Sequence, residues 1–335
     1  MSTRNRSCPC GSGHKYKNCC LLKSSTVWTD GQSWPLLGNK PFLYRQAFQC
    51  IRVQIDKLDD VVAIKLGDVI VHLTTKPQAA TVFAGAPEIS NDGRINRDSM
   101  KSVNLQFQGN AYLLLSYEAD TSEAAKTGGR ERFEVVLGFL QAALGQNLSL
   151  NPIFEVLTER KTNSLIWESD AILDPRLLPM CEIKDPDLEA VISAWESMAP
   201  KEPAIQNRLE LALRHYQRGL LEHVANDKYL FFWVAFEVLA MPDATNITVA
   251  ATDIKNSFFP ALTAEEVKLR LGLVELYGCR NDIVHNGLAV MKSVHDGRIE
   301  RLRIIVRELI RAKIGRPSMG AVEGLATPAS ENQPK

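Results

Sequence analysis

Residues 205–224 read IQNRLELALRHYQRGLLEHV, and their apolar positions recur at intervals of three and four residues. This spacing places one apolar stripe along a single helix. The stripe consists of Ile205, Leu209, Leu213, Tyr216, Leu220 and Val224. Because such a stripe must be covered by other elements, the segment predicts one helix of an all-α bundle.

The rest of the C-terminal region has the same helical character. Asp227 precedes a nearly all-apolar segment that ends near Met241, and a further helical pattern spans roughly 294–314. We therefore expect a compact helical bundle over residues 205–314. Residues 315–335 are polar and small, and we expect a disordered tail there.

A capping box marks the start of another helix in this bundle. Thr263 is followed three residues later by Glu266, so each side chain can bond the other residue's backbone N–H. We expect one helix from here to about His285. Asn286 and Gly287 then end it, because these residues best tolerate a left-handed backbone.

Residues 41–173 contain both strand-like and helix-like segments, which predicts an α+β region. Residues 61–73 are rich in β-branched residues and interrupted at Gly67-Asp68, which indicates a hairpin. Residues 111–117 read as another strand, and residues 130–144 have helical spacing. No catalytic constellation is evident in this region. The fold class expected for the whole chain is α+β.

Two segments separate these regions. Residues 24–40 are a linker with Ser, Gly and Pro, and residues 174–204 form a connector in which proline recurs. The connector prolines are Pro175, Pro179, Pro186, Pro200 and Pro203. Asp185 before Pro186 fits the start of one helix, which we expect to reach about Met198.

Composition excludes some classes of protein. Lys+Arg and Asp+Glu are both 39, so no global positive field draws the chain to nucleic acid, and any RNA contact needs a local patch. The N-terminus lacks the apolar segment of a signal peptide. The apolar stretch 229–241 is too short for a membrane span and contains Glu237. We expect no membrane association.

The cysteine distribution indicates a metal cluster in a reducing compartment. Four of the seven cysteines lie within residues 8–20, whereas Cys50, Cys181 and Cys279 are scattered. A secreted disulfide framework would space them along the chain. The predicted location is therefore the cytoplasm.

The first 23 residues predict a small zinc knuckle. Its ligands would be Cys8, Cys10, Cys19 and Cys20, because four thiolates suit a tetrahedral structural Zn²⁺. The turn 11–13, Gly-Ser-Gly, lets the backbone fold back between the two pairs. Two alternatives remain open: His14 replaces one cysteine as a ligand, or the cysteine pairs bind no metal and have a redox role or none.

The stretch CPCGSGHKYKNCC, residues 8–20, resembles the SEC-C motif. That motif is the zinc tail of the bacterial preprotein translocase motor and is attached to many unrelated bacterial proteins. The resemblance implies structural zinc and a docking role toward a protein or ribosome partner. It does not imply a translocase motor, since the chain has no G-x-x-x-x-G-K-[ST] loop.

A second informative stretch, residues 276–287, contains Arg280, Asn281 and His285. A guanidinium forks onto phosphate oxygens and an imidazole moves protons near neutral pH, so the pair suits phosphodiester chemistry. Spacing alone is weak evidence, because Arg218 with His223 has the same spacing and Arg208 with His215 is a near variant.

The geometry of one helix separates the two candidate groups. Five residues correspond to about 140° around a helix axis, so Arg280 and His285 do not align on an ideal helix. A shared cleft would require a looser last turn or a second subunit.

Residues 205–314 resemble the Apea-like group of HEPN domains, and Arg280, Asn281 and His285 match the R-N-x-x-x-H signature of that family. The resemblance implies a homodimer that cuts RNA without metal, in stress response or phage defence. Arg280 would stabilise the phosphorane, Asn281 would orient the phosphate and His285 would transfer a proton. The alternative is a non-catalytic adaptor that binds a protein, a ribosome or RNA, since many HEPN relatives are silent.

Three further features have structural interpretations. Glu237 in its apolar helix is expected to pair with an arginine or lie at the helix edge, and Cys279 is expected to be packed. A basic stripe with spacing of four residues is expected to be a solvated face paired with Glu300 and Glu308, although it could bind phosphates. The stripe consists of Arg303, Arg307 and Arg311.

Overall fold

The computed structural model of the chain describes residues 21–22, 40–51, 53–55, 61–75, 111–145, 148–159, 164–170, 181–183, 185–198, 202–242, 246–286 and 296–326. The chain divides into two compact units. Unit 1 comprises Met1–Phe133 with Gln146–Ile192, and unit 2 comprises Glu134–Gly145 with Ser193–Lys335. Two of the division points fall within helices, and one of these, between Ile192 and Ser193, lies inside the predicted connector 174–204.

Unit 1 is built on an antiparallel sheet of seven strands. The described strands of the unit are β1 (Leu21–Leu22), β2 (Phe42–Ile51), β3 (Val53–Ile55), β4 (Val61–Leu66), β5 (Val69–Thr74), β6 (Ala111–Ala119), β7 (Ser149–Glu159), β8 (Ser164–Asp170) and β9 (Cys181–Ile183). The short strands β3 and β9 form a separate parallel pair, and the other seven strands form the sheet. The order in the sheet is β1-β4-β5-β6-β2-β7-β8. The expected mixture of strands and helices is therefore confirmed.

The predicted hairpin is confirmed as β4 and β5. Leu66 lies opposite Val69, and the turn between them is Gly67-Asp68. Gly67 has φ +66°, a left-handed conformation that costs glycine little because it has no Cβ. The predicted strand at 111–117 is β6, which pairs with both β5 and β2.

Helix α1 (Ser122–Leu144) begins eight residues before its predicted start. The Thr121 Oγ1 atom accepts a hydrogen bond from the backbone N–H of Ala124, which caps the helix. The half of α1 in unit 1 lies close to the sheet: Phe133 stacks on Tyr44 with ring centroids 5.2 Å apart. Gly129 permits this approach, because a Cβ there would lie 2.2 Å from Cδ1 of Tyr44.

Replacing Gly129 by alanine is expected to destabilise unit 1 by about 1–3 kcal/mol, since the added methyl group overlaps a fully buried ring. The matched control is Gly128→Ala in the same helix. A Cβ there meets the end of the Tyr117 side chain at 3.3 Å, so better helix propensity should leave stability unchanged or higher. Urea unfolding compares the two variants, and equal losses would contradict the close-packing explanation.

One buried imidazole makes unit 1 sensitive to acid. Burial lowers the pKa of His72, on β5, to about 3, so the native state stays neutral while an unfolded chain takes up a proton below pH 6.5. The stability contributed by the neutral form is complete above pH 6.5 and is lost as the pH falls toward 3.

Between pH 6.5 and 5, unit 1 is expected to lose about 2 kcal/mol of unfolding free energy through His72. Chemical denaturation at several pH values measures this loss. The variant His72→Leu should show a flatter profile over the same interval, whereas His223→Gln, which changes an exposed imidazole in unit 2, should not alter it. If the His72→Leu profile is as steep as that of the wild type, the loss of stability in acid does not come from His72.

All the secondary-structure elements described in unit 2 are helices. It contains the second half of α1, the end of α2, and seven further helices. Their bounds are α2 (Asp185–Met198), α3 (Pro203–Leu221), α4 (Ala225–Ala240), α5 (Ile247–Phe258), α6 (Ala264–Arg270), α7 (Leu273–Asn286), α8 (Asp296–Lys313) and α9 (Ala321–Ala326). The core holds the aromatic residues of α4 and the apolar stripe of α3, from Leu209 to Tyr216.

The predicted helix from Thr263 to His285 is two helices. The capping box of Thr263 and Glu266 is present, but the chain turns at Gly272, which has φ +62°, and α7 starts afresh. The break lets Leu271 and Leu273 both point into the core, which a continuous helix would not allow. Sequence reasoning also missed α5, whose cap is the Asn246 side chain accepting from Thr248 N–H.

Segment 315–335, predicted to be a tail, contains the short helix α9. Val322 on α9 is fully buried, and the chain leading to it is bonded to α8. Residues 315–326 thus differ from the prediction. The predicted helices at 185–198 and 294–314 are confirmed as α2 and α8, whose ends differ by two residues or fewer.

Candidate functional site

Helix α7 holds the predicted site residues, and α4 fixes its position. The Tyr229 hydroxyl donates to the Leu276 carbonyl at 2.6 Å, and the Trp233 ring contacts that of Tyr277 with centroids 5.9 Å apart. Leu276 and Cys279 on α7 are buried. These contacts anchor one side of α7 and leave its other side at the surface.

Arg280 lies at the rim of that surface and is held from two directions. Its Nη1 donates to Oδ1 of Asn281 at 3.2 Å, and its Nε lies 3.8 Å from Oε1 of Glu237 on α4. The two charged side chains are 29% and 34% exposed. The expectation that Glu237 pairs with an arginine is confirmed. The pair is partly solvated, so a phosphate can compete with the carboxylate for the guanidinium.

His285 is exposed in the last turn of α7. Because α7 is regular from Leu273 to Asn286, Arg280 and His285, which are five positions apart, keep the expected separation of about 140° around the helix axis. Within the part of the chain that the structure describes, these two side chains share no hydrogen bond. The structure brings together Arg280, Asn281 and Glu237, and it leaves His285 apart from them.

The surface of α7 between these two groups is partly apolar. Val274 and Val284 are 59% and 50% exposed. Among the described residues, none has an atom within 4 Å of a Cβ placed at Gly278, so they leave the backbone there open to close approach. Sequence reasoning did not identify this face, since the periodicity of one helix does not show which of its sides other helices will cover.

Arg218 and His223, which have the same spacing as Arg280 and His285, lie in a different environment. Arg218 donates from Nε and Nη2 to the Glu134 carboxylate of α1, at 2.9–3.1 Å. Helix α3 ends at Leu221, so His223 lies outside the helix, although the predicted stripe extends to Val224. This bidentate ion pair of Arg218 holds α3 against α1 and has a structural role.

The predicted pairing of the α8 stripe with Glu300 and Glu308 is confirmed, but the prediction of a solvated face is wrong. Arg307 and Arg311 are buried, and the side chain of Arg303, which pairs with the exposed Glu300, is only 12% exposed. Nη1 of Arg311 donates to the carbonyl oxygens of Ala142 and Ala143 at 3.0 and 2.8 Å. The end of α1 lies against this part of α8 within unit 2, and its unpaired carbonyl groups need donors.

Glu308 neutralises part of this buried charge. It is fully buried, accepts from Arg307 at 3.1 Å, and accepts from the backbone N–H of Met319 at 2.9 Å. Arg307 also donates to the Gly145 carbonyl at 3.2 Å. The α8 arginines therefore join the end of α1 to the segment before α9 and do not form a phosphate-binding surface.

Replacing Glu308 by alanine is expected to cost unit 2 about 3–5 kcal/mol, because Arg307 and Arg311 would remain as uncompensated buried charges. The control is Glu265→Ala on α6, also in unit 2. That change removes an exposed partner of Lys268 and should cost about 0–1 kcal/mol. Denaturant unfolding of both variants measures the difference, and similar losses would contradict a buried network.

Cys279 is packed, as expected. It is 4% exposed, and burial raises the pKa of its thiol, although Arg298 opposes this effect. A protonated, buried thiol is a poor nucleophile.

The predicted metal ligands lie outside the described residues. These are Cys8, Cys10, Cys19 and Cys20. Among the residues that the structure does describe, no group of three or more His, Cys, Asp or Glu side chains could hold a metal ion. The chemistry of the cysteine set itself, four soft thiol donors in thirteen residues, fits a tetrahedral zinc site.

Comparison with known proteins identifies one segment. The family model of the SEC-C motif matches residues 4–22, which confirms the predicted resemblance of the N-terminal segment. No curated protein and no solved structure matches the chain. The HEPN resemblance of the helical region stays a prediction. Over the described ranges, no helix combines the length and the apolar character needed to cross a membrane.

Proposed function

We propose that this chain is a zinc-knuckle protein whose helical unit cleaves RNA without a catalytic metal, through Arg280, Asn281 and His285. The observation that carries the proposal is the setting of Arg280. Its guanidinium lies at the surface of α7, oriented by Glu237 and Asn281, and the exposed imidazole of His285 lies little more than one turn further along.

Arg280 suits the stabilisation of a phosphorane. Glu237 engages Nε and Asn281 engages Nη1, and Nη2 has no bond to the other described residues. A phosphate oxygen approaching that edge would gain a charge-assisted hydrogen bond. Asn281 then acts chiefly by orienting the guanidinium, which modifies the expectation that it orients the phosphate directly.

The reaction requires two proton transfers. The RNA 2′-hydroxyl attacks the adjacent phosphorus and loses its proton, and the 5′-oxygen of the next nucleotide leaves and gains one. The products are a 2′,3′-cyclic phosphate and a 5′-hydroxyl. An exposed imidazole can perform either transfer near neutral pH, and Arg280 stabilises the charge that develops between them.

A second copy of the chain would complete the site. Arg280 and His285 of one regular helix are too far apart around its axis to hold one phosphodiester. The exposed Val274 and Val284 and the open backbone at Gly278 suit close packing against the same face of another copy. In such a dimer, Arg280 of one copy would act with His285 of the other.

The N-terminal segment would serve as a docking module. Its four cysteines would hold one structural Zn²⁺, since a segment this short has no core of its own. The SEC-C resemblance implies a protein or ribosome partner for it. Zinc would therefore determine the folding of the knuckle and have no part in RNA cleavage.

The second candidate function is a non-catalytic adaptor. The observation in its favour is that Arg280 is already paired with Glu237 while His285 lies apart. In that case Arg280 holds α7 to α4, and both the knuckle and the helical unit bind macromolecules.

RNA cleavage by His285→Ala is expected to fall about 10²–10⁴-fold in the presence of EDTA, because proton transfer is lost while the fold is kept. The control is His223→Ala, an exposed histidine with the same spacing from an arginine, which should retain wild-type activity. Cleavage is measured by the appearance of cyclic phosphate ends. Equal activity of the two variants would exclude His285 from the reaction, and no cleavage by the wild type on any RNA would support the adaptor.

Mixing two inactive variants tests the shared site. If Arg280 of one copy acts with His285 of the other, Arg280→Ala and His285→Ala chains should restore about one quarter of the activity, since half the dimers each regain one of two sites. No recovery after mixing, with heterodimers formed, would place both groups in one chain.

A further inference from the structure

One face of the unit 1 sheet is polar although its side chains are buried. Phe133 of α1 stacks on Tyr44, so α1 lies against the face that Tyr44 occupies. Arg45 and Gln49 point to the other face, because successive side chains of a strand alternate and β2 pairs with β6 without a register shift. Residues directly opposite each other share a face, which adds residues of β5 and β6. The buried polar side chains of this polar face are Arg45, Gln49, His72, Thr74, Ser116 and Glu118.

The opposite face of the same strands shows how unusual this composition is. On the face toward α1, β5 and β6 contribute Val71, Leu113 and Leu115, which are all buried, as is normal for a sheet face inside a protein. Each polar side chain that is buried needs partners for its donors and acceptors, and a cluster of them needs an explanation beyond packing. The polar face is therefore a candidate binding site.

Gln49 is the member of the polar face that the fold leaves unsatisfied. Its side chain is 0% exposed, and neither Oε1 nor Nε2 has a hydrogen-bond partner among the described residues. A carboxamide offers two acceptor sites and two donors, and burying it without partners forfeits the bonds that it makes with water. A bound molecule that presents an adjacent donor and acceptor would restore them.

The neighbours of Gln49 indicate what that molecule is. Tyr112 lies directly opposite Gln49 on β6, and Thr74 lies opposite Tyr112 on β5. Tyr112 is 3% exposed, so a buried aromatic ring lies beside the carboxamide. Proteins hold nucleobases in this way, with the ring stacked on an aromatic side chain and the edge bonded to polar groups. A glutamine amide matches the adjacent donor and acceptor of such an edge.

The charges of the polar face favour an uncharged ligand. Arg45 and Glu118 have opposite formal charges and lie diagonally on adjacent strands, and Nη2 of Arg45 donates to the Thr158 hydroxyl at 3.1 Å. Burial lowers the pKa of His72 to about 3, so its imidazole is neutral near pH 7. A phosphate would need an excess of positive charge here. The described side chains also contain no group of three or more His, Cys, Asp or Glu that could hold a metal ion.

We infer that the polar face of unit 1 binds a free nucleobase or nucleoside, whose base edge bonds to the Gln49 carboxamide and whose ring lies against Tyr112. The ligand is a free molecule because the side chains that bind it are buried, and an intact RNA strand would have to uncover them. The inference concerns unit 1 and is independent of the zinc binding and the RNA cleavage proposed above.

Titration calorimetry of the full-length protein with adenosine, guanosine, cytidine and uridine, each separately, tests this inference. At least one nucleoside is expected to bind at about one per chain, and Gln49→Leu should weaken that binding about tenfold or more, because the base edge loses its partners. The control is Gln46→Leu, a half-buried residue of the same strand on the face toward α1, which should bind as the wild type does.

Urea unfolding without nucleoside separates loss of binding from loss of the fold. The Gln49→Leu variant should be at least as stable as the wild type, since an apolar side chain of similar size replaces an unpaired buried amide. A less stable Gln49→Leu variant would show that the amide is satisfied within the fold and would overturn the inference. Wild-type protein that binds none of the four nucleosides, or Gln49→Leu with unchanged affinity, overturns it too. Displacement of the nucleoside by single-stranded RNA would overturn the assignment to a free molecule.

Discussion

The burial of α4 is the constraint on which unit 2 depends. Four of its aromatic residues, Tyr229, Phe232, Trp233 and Phe236, are almost fully covered, and α3, α7 and α8 contact the helix. Such a helix is surrounded by apolar contacts, so the one carboxylate near its end, Glu237, remains only at the rim. There it meets Arg280. The position of the candidate site therefore follows from how α4 is covered.

Charge in this unit serves two different purposes. The α8 arginines lie inside and donate to carbonyl groups that the end of α1 leaves unpaired, and Glu308 keeps the buried network close to neutral. Arg280 is partly solvated and its ion pair is weak. A residue that exchanges its partner for a phosphate needs the partly solvated environment of Arg280. A residue that supports the fold needs the buried, neutralised environment of the α8 arginines.

The two ends of the chain have different sources of stability. The helical unit has a large apolar core, which includes α4 and one side of α7. The cysteine segment is too short for a core and depends on metal, and its only described structure is the strand that borders the unit 1 sheet. Docking to a partner and cleavage of RNA are thus proposed for parts of the chain that fold for separate reasons.

The sequence by itself determined the local features. The turn at Gly67, the capping box at Thr263 and the cysteine spacing were all evident, because a few neighbouring residues fix each of them. Only the tertiary structure decided that the α8 arginines are buried, that Gly272 breaks a predicted helix, and that Glu237 is the partner of Arg280. Burial and ion pairing depend on residues distant in the chain, and periodicity along one helix does not reveal which of its faces another helix will cover.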